Sequence, residues 1–210
     1  MLRVIRIFLF SFLFSGEIYV SLQMLDQIGV VDSETLELID IVDTDFNEMS
    51  SDNCMDYTSE MECDMLDGCE WMMDMCMESG GGMQMGNDTP HFVVVDDLNG
   101  YWFVTTIASG YIARFKLITN EFIDKIFVGD SPALLTLNKN DRKLYCSRMM
   151  PMGNMMPGTE STVIHEIDYS GDMLITLNEF EIPSPAPHGI SINSDGSEVY
   201  VASNTADWIY

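Results

Sequence analysis

Basic residues are scarce in this chain. Nine Lys and Arg stand against 34 Asp and Glu, a formal charge of −25, and none of the nine lies between Arg6 and Arg114, where 21 carboxylates do. Such a surface repels nucleic acid and anionic lipid headgroups. Solubility and the attraction of cations are what the charge leaves open. Catalytic signatures are missing too: there is no G-x-S-x-G elbow, no H-E-x-x-H, no phosphate-binding loop and no Cys/His pair in a nucleophile setting. Past residue 14, no apolar run approaches the about 20 residues a spanning helix needs.

The one apolar run is N-terminal. Arg3 and Arg6 precede Ile7 to Phe14, followed by the small residues Ser15 and Gly16. This layout predicts a secretory signal peptide over residues 1–16, although Phe14 is a poor residue at the minus-three position. A membrane anchor is the competing reading, and the run is short for it. Losing Arg3 and Arg6 with the signal would take the charge from −25 to −27. The expected location is extracytoplasmic: periplasmic, cell-surface or secreted.

What the chain has in quantity is repetition. The stretch Pro187-His188-Gly189, Ile190, Ile192, Asp195-Gly196, Val199-Tyr200-Val201 has counterparts upstream. One is Pro90-His91-Phe92 with Asn99-Gly100 and Trp102-Phe103-Val104; another is Pro132-Ala133-Leu134 with Asn140-Asp141 and Leu144-Tyr145-Cys146. Each reads as strand, turn, strand. Residues 28–39, 112–123 and 163–174 supply a further strand-turn-strand half, so one unit holds four short strands. Phe103 to Tyr145 is 42 residues, within the roughly 40 to 45 of a propeller blade. Tyr145 to Tyr200 is 55, an excess of 13, and the Met-rich segment 148–160 is 13 residues long. Tyr19 lies 84 before Phe103, twice the period, with a Cys- and Met-rich block between.

These units resemble the YVTN-type β-propeller repeat, through Pro187-His188-Gly189, Asp195-Gly196, Tyr200-Val201 and Ile28-Gly29-Val30-Val31-Asp32. Pro132-Ala133 departs by lacking the His, and Asn140-Asp141 replaces the Asp-Gly turn. The resemblance implies an all-β propeller of four-stranded blades, about three and a half of them in residues 17–44 and 90–210. A typical propeller has about four to eight, so the expectation is the front part of a longer, roughly seven-bladed protein.

Residues 45–89 form an acidic Cys/Met-rich insertion. Cys54, Cys63, Cys69 and Cys76 fall within 23 residues. In an exported chain they read as two disulfides stapling a small loop, with three connectivities open. Zinc is the rival, weakened by the absence of C-x2-C pairs. The order C…C…GC-x-W…C is similar to plexin-semaphorin-integrin cysteine-rich modules. Methionine clusters in both insertions: nine between Met55 and Met85, then Met149, Met150, Met152, Met155 and Met156. Thioethers suit Cu(I) and the carboxylates suit Ca²⁺, so copper and calcium are the metals to consider. Adaptable apolar filling is the alternative use of Met.

His91 and His188 hold equivalent repeat positions before a first strand, the strand that lines a propeller's central channel. They are candidates for a channel-mouth ligand, or for a structural bond from the ring to a neighbouring blade's backbone. His165 reads as surface, Asp32 and Asp168 as turn caps, Cys146 as a small buried hydrophobe. The expected function is an exported, non-catalytic binding or scaffold propeller that contacts a protein or small molecule at its face, with no nucleic acid partner and no membrane span once the signal is removed. The alternatives are a channel-centred metalloenzyme or hydrolase, and an extracytoplasmic copper binder.

Overall fold

The computed structural model describes residues 16–46, 59, 69–72, 75–78, 87–129, 131–149 and 162–210, and of 69–72 and 75–78 the backbone only. A first antiparallel sheet holds β1 (Glu17–Leu22), β2 (Gln27–Asp32) and β3 (Leu38–Asp43). The hairpin β4 (Cys69–Met72) and β5 (Met75–Glu78) stands in the insertion. A second sheet runs β6 (Pro90–Asp96), β7 (Tyr101–Thr106), β8 (Tyr111–Lys116) and β9 (Phe122–Phe127). A third repeats that order with β10 (Pro132–Asn138), β11 (Lys143–Arg148), β12 (Val163–Asp168) and β13 (Ile175–Glu181). The fourth pairs β14 (Pro187–Ile192) with β15 (Val199–Ser203), and Ala202 bridges to Ile209 beyond them.

Each sheet is a meander because its connections are tight and its turn residues fit. Asp96 accepts the Leu98 and Asn99 amides, and Gly100 takes the left-handed conformation that closes β6 onto β7. At the same place between β10 and β11, Arg142 adopts φ +54. This turn lacks its glycine, and Asn138, whose side-chain oxygen accepts the Asp141 amide, orders it instead. Around Asp195-Gly196, Asn193 and Glu198 are still backbone-paired at 3.0 Å, so Ser194 to Ser197 form the loop that joins β14 to β15. Asp195 accepts the Ser197 amide and hydroxyl there, and Gly196 supplies φ +77. Asp32 and Asp168 cap their turns as expected, Asp32 accepting from Glu34 and Thr35, Asp168 from Ser170.

The sheets pack face to face, with β6 beside β1 and β10, and β10 beside β14. Two cores lie between them. Tyr19, Ile28, Val30 and Val42 of the first sheet meet Trp102, Val104, Ala113 and Phe115 of the second, and Trp102 stacks on Phe115 at 4.0 Å. Phe103 and Ile112 of the second sheet meet Leu135, Leu144, Cys146 and Ile167 of the third. Burying such side chains stabilises by about 1.5–3 kcal/mol each. Arg114, 1% exposed, crosses this second seam: it forks onto Asp124 of its own sheet and donates to the carbonyls of Tyr169, Gly171 and Asp172 in the next.

Candidate functional site

The innermost strands share a defect that fixes two histidines. In β6, Pro90 faces Thr106 and Phe92 faces Thr105, which leaves His91 as an extra residue outside the ladder. In β14, Pro187 faces Ser203 and Gly189 faces Ala202, which does the same to His188. β10 carries the matching irregularity between Pro132 and Leu135. Bulges of this kind re-aim a side chain and leave backbone groups without ladder partners.

Hydroxyls on the second strands satisfy those groups. Thr105 accepts the Phe92 amide at 3.1 Å and donates to the Ala133 carbonyl of the next sheet at 2.9 Å. Ser147 accepts the Leu134 amide at 3.2 Å and donates to the His188 carbonyl at 2.6 Å. Ser21 donates to the His91 carbonyl at 3.1 Å. The three hydroxyls sit two residues after Tyr19, Phe103 and Tyr145, so β1 corresponds to β7 and β11, the second strand of its unit. The bond to the neighbouring blade is thus made by the backbone carbonyl at the His position and not by the imidazole. Ala133 accepts the same bond with no ring at all.

With their backbones held, the rings converge. His91 and His188, on strands separated by β10, stand 6.3 Å apart between centroids and nearly edge to face. Both are half-buried. The side-chain amide of Gln23, from the 3₁₀ turn Gln23–Leu25, meets Nδ1 of His91 at 2.6 Å. Burial, and then the neighbouring His188, hold the His91 imidazole below its ordinary value. Among the described residues the His188 ring makes no hydrogen bond. Sequence reasoning found the two histidines and missed Gln23 and the hydroxyls, although the recurrence of Ser or Thr two places after an aromatic was there to be read.

The other sequence-derived residues distribute as follows. Cys54, Cys63, Met150, Met152, Met155 and Met156 lie outside the described residues. Cys69 and Cys76 are on β4 and β5, where the register sets Cys69 opposite Glu78 and Cys76 opposite Trp71. The Met149 sulfur receives the Asn204 amide at 3.5 Å. Cys146 is a free, fully buried thiol pushed up to about 12 by its burial. His165 is 3% exposed and not on the surface: β12 is covered on both faces by neighbouring blades, so its alternation leaves no solvent side. Neither of its ring nitrogens has a hydrogen-bond partner among the described residues. No three His, Cys, Asp or Glu side chains among the described residues gather as a metal cluster, and no described helix is long and apolar enough to cross a membrane.

The two ends of the insertion are tied together on the propeller side. Asp26 accepts the amides of Asp88 and Thr89, while Asp88 accepts that of Phe46 at 2.8 Å. Lys125 reaches the Phe46 carbonyl at 3.2 Å and lies over the Tyr111 ring. Residues 47–86 therefore leave and rejoin the blades at one clasp.

No protein-family model and no curated protein matches the sequence. Solved structures do match. The chain is similar to Kuenenia stuttgartiensis hydrazine synthase at TM-score 0.60 and 14% identity, over 91% of this chain and 40% of that one. It is similar to a streptogramin B lyase at 0.57 and 12%, over 92% and 47%, and to a structure of a nidogen/laminin complex at 0.51 and 12%, over 91% and 55%. These are β-propeller-type proteins, and at such identities the likeness is one of fold. Blades of antiparallel strands, stacked face to face with their first strands innermost, make this chain a β-propeller protein. It spans about half the length of the solved structures it resembles.

Proposed function

We propose that this is an extracytoplasmic, non-catalytic binding propeller of the YVTN-repeat type, whose contact site is the channel end marked by His91, His188 and Gln23. One observation carries the reading. Ala133 accepts the same inter-blade hydrogen bond as His91 and His188, so that backbone bond does not call for an imidazole, and the two rings stand together at the inner strands. Two half-buried rings beside an amide form a small convergent polar group, which is how ligand sites orient what they hold. The N-terminal Arg3, Arg6 and apolar run support export. The insertion 45–89, with its four cysteines and its clasp at Asp26 and Asp88, is read as a second contact surface carried on the first.

The experiment is nitrogen-15 NMR of the imidazole side chains during titration with small anionic, sugar and peptide ligands, with each ligand assayed afterwards for chemical change. The expected outcome is a ligand that moves the His91 and His188 signals together and is recovered intact. Conversion of that ligand to a product would favour the channel-centred hydrolase or metalloenzyme. Binding that leaves both signals in place and moves resonances elsewhere would overturn the site.

A further inference from the structure

We propose that His91 and His188 hold a divalent transition-metal ion between them, one imidazole from each of two blades, an assignment that rests on the channel-end site described above. Spacing is the first argument. A direct N–H···N bond between the rings would draw their centroids to about 5 Å. Two metal–nitrogen bonds of about 2.0–2.1 Å, with a ring radius of roughly 1.1 Å on either side, allow about 6.4 Å when the two ring nitrogens meet the ion from opposite sides, whatever the angle between the ring planes. The observed separation is 6.3 Å, so the gap suits one ion shared by two rings and is too wide for a direct bond.

Ligand chemistry is the second argument. Neutral imidazole is a ligand for Cu²⁺, Zn²⁺ and Ni²⁺, whereas Ca²⁺ and Mg²⁺ take oxygen donors. Ligation requires a deprotonated ring nitrogen, which an imidazole presents when a hydrogen bond holds its proton on the other nitrogen. Gln23 supplies the outer contact. Its amide at Nδ1 of His91, turned so that its oxygen accepts the Nδ1 proton, leaves Nε2 bare and fixes the ring, as second-shell partners of ligating histidines do.

Construction is the third. Each histidine is the extra residue of a bulge, and each has its carbonyl tied to a hydroxyl of the preceding blade, Ser21 for His91 and Ser147 for His188. The intervening strand presents Ala133 at the equivalent position, a side chain too small to part the rings. Positions fixed by packing and backbone bonds are what a metal site needs in order to bind without first ordering its ligands.

The test uses the full chain and Cu²⁺ as the probe, titrated against a competing chelator and followed by electron paramagnetic resonance. The expected result is one ion per chain with the nitrogen coupling of two imidazoles. His91→Ala and His188→Ala should each remove one imidazole from the spectrum and weaken binding about tenfold or more, with Gln23→Leu weakening it less. Circular dichroism and thermal midpoint of His188→Ala should stay at wild-type values, because Ala133 shows that the strand position accepts alanine. The proposal is overturned if wild type takes up no Cu²⁺, or if the His91→Ala/His188→Ala double variant keeps wild-type affinity and spectrum. The second result would place copper elsewhere, the methionine clusters included. Either failure leaves the NMR test of ligand binding at the channel end standing on its own.

Discussion

The two middle sheets and the first sheet are built from the same strands and end up in different solvents. β7, β8, β11 and β12 have neighbours on both faces and are buried along most of their length. β1 and β3 are covered on one face only. Tyr19, Ile28 and Val42 pack against the second sheet, while Ile18, Val20 and Ile41 on the other side are 44%, 42% and 49% exposed. The apolar alternation is alike in both regions, and it is the polar residues that tell them apart. In the middle sheets every polar group must find a partner or carry a penalty. Arg114, Thr105 and Ser147 find several, and His165 makes no hydrogen bond among the described residues.

The sharpest way to break this contrast is Arg114→Met. The substitution fills the space but strands the Asp124 carboxylate and three carbonyls of the third sheet at a seam with little water. Removing one partner of a buried pair costs about 3–5 kcal/mol. The matched exposed pair, Lys116 with Glu121 at 2.6 Å, should lose under about 1 kcal/mol in Lys116→Ala. Urea denaturation of both variants checks the ratio. Comparable losses would mean that the interior blades are no drier than the rim.

How much of this was legible in the sequence divides along the same line. The strands were, since Phe103 and Tyr145 set a period that Tyr200 keeps once the 13-residue segment 148–160 is set aside, and Asn99-Gly100 or Asp195-Gly196 punctuate it. The pairing of His91 with His188 was half legible: equivalence in the repeat put them on inner strands, but the bulges that free them appear only when residues are counted across the ladder. Gln23 was not legible, because nothing local ties a 3₁₀ turn between β1 and β2 to a histidine 68 positions later. His165 was misread because period-two logic assumes one wet face, and a blade with neighbours on both sides has none. The insertion clasp at Asp26 and Asp88 also joins residues far apart in the chain, which composition cannot register.

A second way to sharpen the contrast uses pH. Burial first, and Arg148 with it, push His165 below the ordinary histidine value of 6.5, while Glu179 at 3.6 Å pulls the other way. A histidine whose folded value is depressed binds its proton more readily when unfolded. Its contribution to stability is therefore complete above 6.5 and is lost as pH falls from there toward the lowered folded value. His165→Leu should remove that part of the acid slope and, by deleting two unpaired ring nitrogens, gain about 1 kcal/mol at pH 7. His91 shifts in the same direction and keeps its share of the slope in both proteins, so the comparison is of variant with parent. Parallel pH-stability curves would show that His165 is paired in solution.

The smallest expected effect tests whether the hydroxyls of the second strands serve the site as well as the fold. Ser147→Ala leaves the Leu134 amide and the His188 carbonyl without their shared partner, and losing such bonds costs about 1–2 kcal/mol. Thr105→Val removes the equivalent pair at Phe92 and Ala133 and should cost a similar amount, since the backbone device is the same. The two differ in what sits on the acceptor. Only Ser147 holds a histidine carbonyl, so only Ser147→Ala should broaden or shift the His188 imidazole signal, and it should weaken Cu²⁺ by a few-fold, less than loss of the ring itself. Equal stability losses with a His188 signal unchanged in both variants would mean that the hydroxyl bonds join blades and do nothing to aim the ring.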